Sequence, residues 1–229
     1  GVDTKSSRTD MVSDADRDAE SLIVRRVSNA RPDDAILAEE GNGREGESGL
    51  RWIVDPLDGT TNFLQGIPYW CVSVAVADAD GALAGVVFAP CTDELFWAVR
   101  GAGAHLNGAP LTLATEPPPL AEALIGTGFN YHGDERRHQA RTAARLLPHV
   151  RDIRRFGAAA LDLAWLAAGR LDGYYETGLQ PWDWAAGALL VSESGRRVRR
   201  FPAADGRPAG LVAAPEALID PLWSHVAPR

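Results

Sequence analysis

Between residues 14 and 28 apolar side chains recur at Ala15, Ala19, Leu22, Ile23 and Val27, the spacing of an amphipathic helix, and Ser13 stands before them as an N-cap. The period then shortens. A strand is expected at 35–38, followed by an acidic exit at Glu39 and Glu40 and a flexible polar loop, "GNGREGESG", at 41–49. Residues 50–54 form a strand that leads into "DPLDGTTNF". Three strand-like runs follow, "WCVSVAVAD", "GALAGVVFAP" and "DELFWAVRG", and the hairpin signal "DADG" between the first two predicts an antiparallel meander. "GAHLNGAPL" adds a turn and a short strand. Three consecutive prolines at 117–119 are the strongest punctuation in the chain and divide it into halves at 1–119 and 120–229. Beyond them strands and helices alternate: strand "ALIGTGF", helix 138–147, strand "DIRRF", helix 157–168, strand "LDGYYETG", helix 182–194. A strand-rich first half and an alternating second half predict a mixed α+β and α/β class of layered sheets and helices.

Composition narrows the function classes. At 229 residues, 45% hydrophobic and 24% charged, the chain is an ordinary globular one, long enough to bury a core without staples. Cys71 and Cys91 lack ligand spacing and read as reduced, buried thiols. No run approaches the roughly 18 apolar residues of a membrane span, and "GVDTKSSRTD" has no apolar segment of signal-peptide type. A cytoplasmic protein without membrane partners is expected. The net charge of -8 argues against a nucleic-acid partner, which needs clustered cations, and the basic runs at 151–155 and 196–200 are short. An acidic protein acting on an anionic substrate must bring cations to meet it.

Carboxylates stand at strand ends and helix starts in several separated places: Glu39, Asp55 with Asp58, Glu176 and Asp183, with Asp16 in the first turn of the first helix. Hard divalent cations take oxygen ligands and keep waters and substrate phosphate, and two ions roughly 3.5–4 Å apart can clamp attacking and leaving oxygens. Asp55, directly after "RWIV", sits where a bridging ligand would be held rigidly. The spacing to Asp58 lets both side chains and the Leu57 carbonyl converge. Gly59 permits a tight turn, and Thr60 is expected to cap a helix whose free N–H groups suit phosphate. Taken singly, each feature is ordinary: Asp-x-x-Asp-Gly is common in turns, and Asp183 would cap its helix. There is no P-loop, and Gly66 stands where a calcium loop needs its last Glu.

The combination says more. "AEEG", "WIVDPLDGTTNF" and, about 120 residues further on, "PWDWAAG" resemble the inositol monophosphatase family of Mg2+-dependent, lithium-sensitive phosphatases. "TKSSRTDMVSDAD" is similar to that family's Lys-containing loop and Val-Thr-x-x-Asp segment, and "RFGAAALDLAWLAAGRLDGYYE" to its Gly-Ser-Ala-Ala helix and following strand. The resemblance implies a layered αβαβα sugar-phosphatase fold, a homodimer and two to three Mg2+ per subunit. Glu39, Asp55 and the Leu57 carbonyl would hold the first ion, Asp55, Asp58 and Asp183 the second, and a third, weaker ion would also lean on Glu39. Thr60 with Asp16 would orient and deprotonate the attacking water near Glu39. Backbone N–H groups at Gly59 and Thr60 would hold phosphate oxygens, Asp58, Ala159 and Glu176 would touch substrate hydroxyls, and Lys5 would sit in a mobile loop near the site. Ala38 and Ala158 depart from the family's usual Gly and Ser or Thr.

The implied reaction is hydrolysis of inositol 1-phosphate, a small phosphorylated polyol, by direct attack of a metal-activated water. Glu176 suits a polyol because a carboxylate accepts hydrogen bonds from ring hydroxyls. Histidinol-phosphate phosphatase, or a broader sugar or nucleotide phosphate phosphatase, is the alternative. A regulatory binding protein that has lost catalysis would not need the full carboxylate set.

Overall fold

A two-stranded antiparallel ribbon, β1 (Val2–Thr4) with β2 (Met11–Ser13), brings the chain to Ser13. Ser13 and Asp16 then cap helix α1 (Asp14–Ala30) reciprocally, each satisfying a backbone N–H that the helix start leaves open. The computed structural model describes residues 1–4, 11–112, 116–204 and 207–227; Lys5 and its loop lie outside the described residues. The inner face of α1 is not the apolar stripe expected. It buries Asp16, Glu20 and Val27, while Leu22 is 43% exposed.

Strand β3 (Ala35–Ala38) pairs in parallel with β4 (Arg51–Asp58). β4 is longer than expected and carries the strand through Asp55 and Asp58. Its pairing with the next strand changes register between those two residues, a bulge of the kind that re-aims side chains. Helix α2 (Thr60–Leu64) follows. Thr60 is its first residue rather than its cap; the cap is Gly59, at φ 96°, a left-handed conformation that glycine adopts freely. A Cβ there would also stand 3.1 Å from the Tyr69 carbonyl and 3.2 Å from Ala158 Cβ.

The meander then runs through β5 (Cys71–Asp78), β6 (Gly81–Ala89), β7 (Glu94–Val99), β8 (Gly103–Leu106) and β9 (Ala109–Leu111), completing a seven-stranded sheet in the order β3-β4-β5-β6-β7-β8-β9. Alternate residues Cys71, Ser73, Ala75, Val87, Phe96 and Ala98 point to one buried face, as the period of two requires.

Past the prolines come β10 (Leu124–Thr127), α3 (Gly133–Leu146), β11 (Asp152–Arg154), α4 (Ala159–Ala167), β12 (Gly173–Thr177), α5 (Pro181–Glu193), β13 (Arg197–Phe201), β14 (Gly210–Ala214) and α6 (Glu216–Val226). The second sheet has the order β11-β10-β12-β14-β13. α3 starts five residues before the expected helix, and β13, β14 and α6 had no counterpart in the pattern. In the basic run at 196–200, Arg197 pairs with Glu216 of α6 and Arg199 with Asp220 at 2.5 Å, while Arg196 donates to the Ala167 carbonyl and Arg200 lies over the Trp184 ring of α5.

Five layers result. α1 lies on β4, α4 and α5 fill the space between the sheets, and α3 and α6 cover the far face of the second sheet. The central core joins Val87 and Phe96 to Leu163, Tyr174 and Leu190, and each such buried side chain contributes about 1.5–3 kcal/mol. Gly85 lets α5 approach the first sheet, since a Cβ there would lie 2.9 Å from Ala186 Cα. Helices that follow the prolines thus pack on strands that precede them, which fixes the two groups of carboxylates relative to each other. Among the described residues no helix is long and apolar enough to cross a membrane.

Candidate active site

The C-terminal end of β4, the N-termini of α2, α4 and α5 and the end of β12 open onto one cavity of about 480 Å³. Glu39, Asp55, Leu57, Asp58, Gly59 and Thr60 line it from the first half of the chain, and Ala159, Glu176 and Asp183 from the second. Among the described residues expected at the site, Asp16 alone stands behind the wall. It is fully buried and accepts the Thr60 hydroxyl at 3.0 Å on Oδ1, while its Oδ2 takes the backbone N–H of Ser13 at 2.9 Å and the Ser13 hydroxyl. Asp16 therefore positions Thr60 rather than facing the cavity. The Thr60 hydroxyl is also 3.1 Å from the Leu57 carbonyl, whose second lone pair stays available.

Each carboxylate is fixed by a local feature of its element. Asp55 accepts the Leu57 N–H at 3.0 Å within the β4 bulge. Asp58 accepts the N–H of Ala160 at 2.7 Å, at the start of α4, and the Cys71 thiol lies 3.8 Å away. Asp183 accepts the Gln180 N–H at 2.7 Å in a capping box, just after Pro181 at the helix start, so one carboxylate both caps α5 and faces the cavity. Glu176 takes the Tyr174 hydroxyl.

The electrostatics are one-sided. Burial pushes the Asp55 carboxyl well above the usual range, and the negative charges of Glu39, Asp58 and Asp183 push it further. Burial raises Asp58 to about 7, with the Ala160 amide acting against the shift and Glu39 with it. Burial and then the Asp58 charge raise Asp183. Glu176 is raised to about 7 by burial, against the Tyr174 hydroxyl and the Arg155 guanidinium. Neither Asp55, Asp58 nor Asp183 forms an ion pair with a described residue. A buried carboxylate without a cation is costly, and several together are stable only if protonated or joined by positive charge.

This donor set consists of carboxylate oxygens and one backbone carbonyl, the chemistry that Mg2+ selects over softer metals. Among the described residues the side chains line the cavity without closing into a ready-made cluster of three donors. The residues fit hard divalent cations that keep part of their water.

Several residues that line or brace the cavity were not among those expected at the site. Arg155 lines the cavity opposite Glu176, whereas its neighbour Arg154 pairs with Asp152 at 2.5 Å. Glu20, one helical turn beyond Asp16, accepts the N–H groups of Glu40 and Asn42 at 2.6 and 3.0 Å, anchoring the segment that presents Glu39. An acid at i+4 on a face expected to be apolar was the legible clue. Asn62 donates to the carbonyls of Tyr69 at 2.7 Å and Phe156 at 2.8 Å, and the Tyr69 hydroxyl donates to the buried Asp162 at 2.5 Å, tying the turn after β4 to the start of α4. Loop 41–49 is tied down as well: Ser48 donates to Asp34 at 2.7 Å, and the Arg44 guanidinium donates to the Arg31 carbonyl at 2.8 Å. Both cysteines are free, Cys71 buried as expected but Cys91 exposed.

Known proteins match closely. The model of the inositol monophosphatase family matches residues 1–225. The Nus factor SuhB of Xylella fastidiosa is 45% identical over 202 residues, 88% of this chain and 73% of that protein. The inositol-1-monophosphatase of Mycobacterium bovis is 43% identical over 230 residues, 96% of this chain and 79% of that one. The crystal structure of the extragenic suppressor protein suhB from Bartonella henselae superimposes with a TM-score of 0.91 at 40% identity, covering 99% of this chain and 88% of that one.

Proposed function

The chain belongs to the inositol monophosphatase family and is a phosphoric monoester hydrolase, and on that premise we propose that it hydrolyses inositol 1-phosphate with two or more Mg2+ per subunit. The observation that carries this reading is the convergence of Asp55, Asp58 and Asp183 from both halves of the chain, all raised and none paired, on one cavity with the Leu57 carbonyl and Glu39. These five residues would hold the ions. Bound Mg2+ would supply positive charge to the phosphoryl oxygens and acidify a water.

The protein's own groups do the rest. The Thr60 hydroxyl, held by Asp16, orients the attacking water and relays its proton toward that carboxylate. Backbone N–H groups of Gly59 and Thr60, which have no acceptor within their helix, receive phosphate oxygens. Little covalent chemistry is asked of the protein in phosphoryl transfer, which depends on positioning and charge. The Ala160 amide fixes Asp58 where it can accept a substrate hydroxyl, and Glu176 accepts others across the cavity.

The acidic wall formed by Glu176 and Glu135 favours one second reading, a phosphate ester with a cationic leaving group such as histidinol phosphate. Phosphate release from inositol 1-phosphate, histidinol phosphate, fructose 1,6-bisphosphate and adenosine 3′,5′-bisphosphate, with Mg2+ or with chelator, decides between them. Preference for the inositol ester supports the first reading and preference for histidinol phosphate the second. Silence on every ester would overturn both and leave a partner-binding role.

A further inference from the structure

We propose that a second, smaller cavity, on the α3 side of β12, binds a phosphate-type oxyanion. It has a volume of about 140 Å³ and shares Glu135, Glu176 and Thr177 with the catalytic cavity as a common wall. Successive residues of a strand point to opposite faces, so β12 turns Tyr175 to the small cavity alone, while Glu176 borders both.

Three observations converge. The open side of the small cavity carries Arg141 and Arg145 from α3, Arg207 from the segment before β14, and His138. Against them stand only the two carboxylates of the common wall. In a chain of net charge -8 such a grouping stands out, and neither Arg141 nor Arg207 forms an ion pair with a described residue. Arg145 is already oriented: its Nε donates to the His225 carbonyl at 2.8 Å and its Nη2 lies 3.5 Å from the Thr142 hydroxyl.

The lining also holds one poorly satisfied hydroxyl. Tyr175 is 5% exposed, and its hydroxyl faces only that of the fully buried Thr127, with no hydrogen bond of good geometry to any protein group. A poorly met buried hydroxyl is unfavourable, and an oxyanion or the water it carries would give it a full partner. Gln139 does not compete, because its amide is engaged with Thr177 at 3.1 and 3.2 Å and with the Asn130 N–H at 2.8 Å.

Size and donors define the class. Sites for drug-sized ligands have roughly 300–1,000 Å³, so this one takes a small group. Guanidinium forks match the paired oxygens of phosphate. The phosphate has two sources: free inorganic phosphate, or the second phosphate of a bisphosphorylated ester whose first phosphate lies in the catalytic cavity. The second source alone rests on the proposed function.

The test is calorimetric titration of inorganic phosphate into the metal-free chain, with chloride at equal ionic strength as control. Arg141→Ala combined with Arg207→Ala should weaken phosphate binding at least ten-fold, and Tyr175→Phe, which keeps the ring, a few-fold, with unchanged circular dichroism. Unchanged affinity in both, or equal heats from chloride, would overturn the site. Kinetics then separate the sources. If the double variant loses kcat/KM on inositol 1,4-bisphosphate but not on inositol 1-phosphate, the ligand is the second phosphate; if neither changes while phosphate binding falls, it is the free anion. Inactivity on both esters in the unaltered chain would sink the proposed function and leave the calorimetric result standing.

Discussion

Asp34 and Asp55 sit at opposite ends of the parallel pair β3 and β4, each 2% exposed, and the protein treats them in opposite ways. Asp34 accepts the Ser48 hydroxyl at 2.7 Å, the Trp52 indole N–H at 2.9 Å and the Arg31 guanidinium at 3.0 Å. These donors bring its carboxyl down to about 2. Asp55 has one backbone N–H and a ring of other acids, and it is pushed up. The same residue type at the same burial is a finished structural joint in one place and an unfinished charge in the other. Burial alone therefore does not mark a site; burial with neutralisation left to something outside the chain does.

The comparison breaks most sharply on substitution. Asp55→Asn should lower Mg2+-dependent phosphate release by more than the roughly 100-fold that losing an outer support of a metal site costs, whereas Asp34→Asn should leave kcat within a few-fold. Steady-state assays on inositol 1-phosphate measure both.

Metal addition is the next largest effect. At 100 times its Kd, Mg2+ should stabilise the chain by about 2.7 kcal/mol, raising Tm by roughly 5–10 °C for a domain of this size. The rise should shrink in Asp183→Asn, which keeps the ligands of the first ion, and persist in full in Asp34→Asn, as read by scanning calorimetry.

pH should move the two regions in opposite directions. Asp58, raised to about 7, takes up a proton in the folded chain that the unfolded chain holds only below about 4. Without metal, its contribution makes stability rise as pH falls from about 8 to about 5, and over the same range Mg2+ affinity should weaken as protons compete. Asp34, lowered to about 2, stabilises fully above about 4 and loses that contribution as pH falls toward 2. The Tm difference between the parent chain and Asp34→Asn should shrink across that lower window and no other.

The smallest effect is at Thr60. Thr60→Ser keeps the hydroxyl on Asp16 and should retain activity within about ten-fold, while Thr60→Val should lose on the order of 100-fold or more, the scale of a lost proton-transfer group.

Legibility followed the same division. The first sheet was readable because its strands are separated by turn residues and alternate in period two, and β3 falls where the pattern puts it, at Ala35–Ala38. The residues that line the cavity were singled out in the sequence because their motif resembles a known family's. Composition and spacing alone left Asp55 and Asp58 as an ordinary turn, since only tertiary contact between α5 and β4 shows that Asp183 joins them. The last part of the chain was opaque for a physical reason. In β13, "RVRRF", Arg197 and Arg199 find their partners in α6 and Arg200 its ring in α5, and β14, "GLVAA", is a short strand buried along its whole length, where no alternation exists to be read. Arg155, too, looks no different in sequence from the paired Arg154 beside it.

The most direct measurement is anomalous scattering from crystals soaked in Mn2+, which takes the same oxygen ligands as Mg2+. At least two peaks are expected in the cavity, both within reach of Asp55 and one held also by Asp183 from the other half of the chain. A cavity free of peaks, or peaks that survive unchanged in Asp55→Asn, would contradict this arrangement.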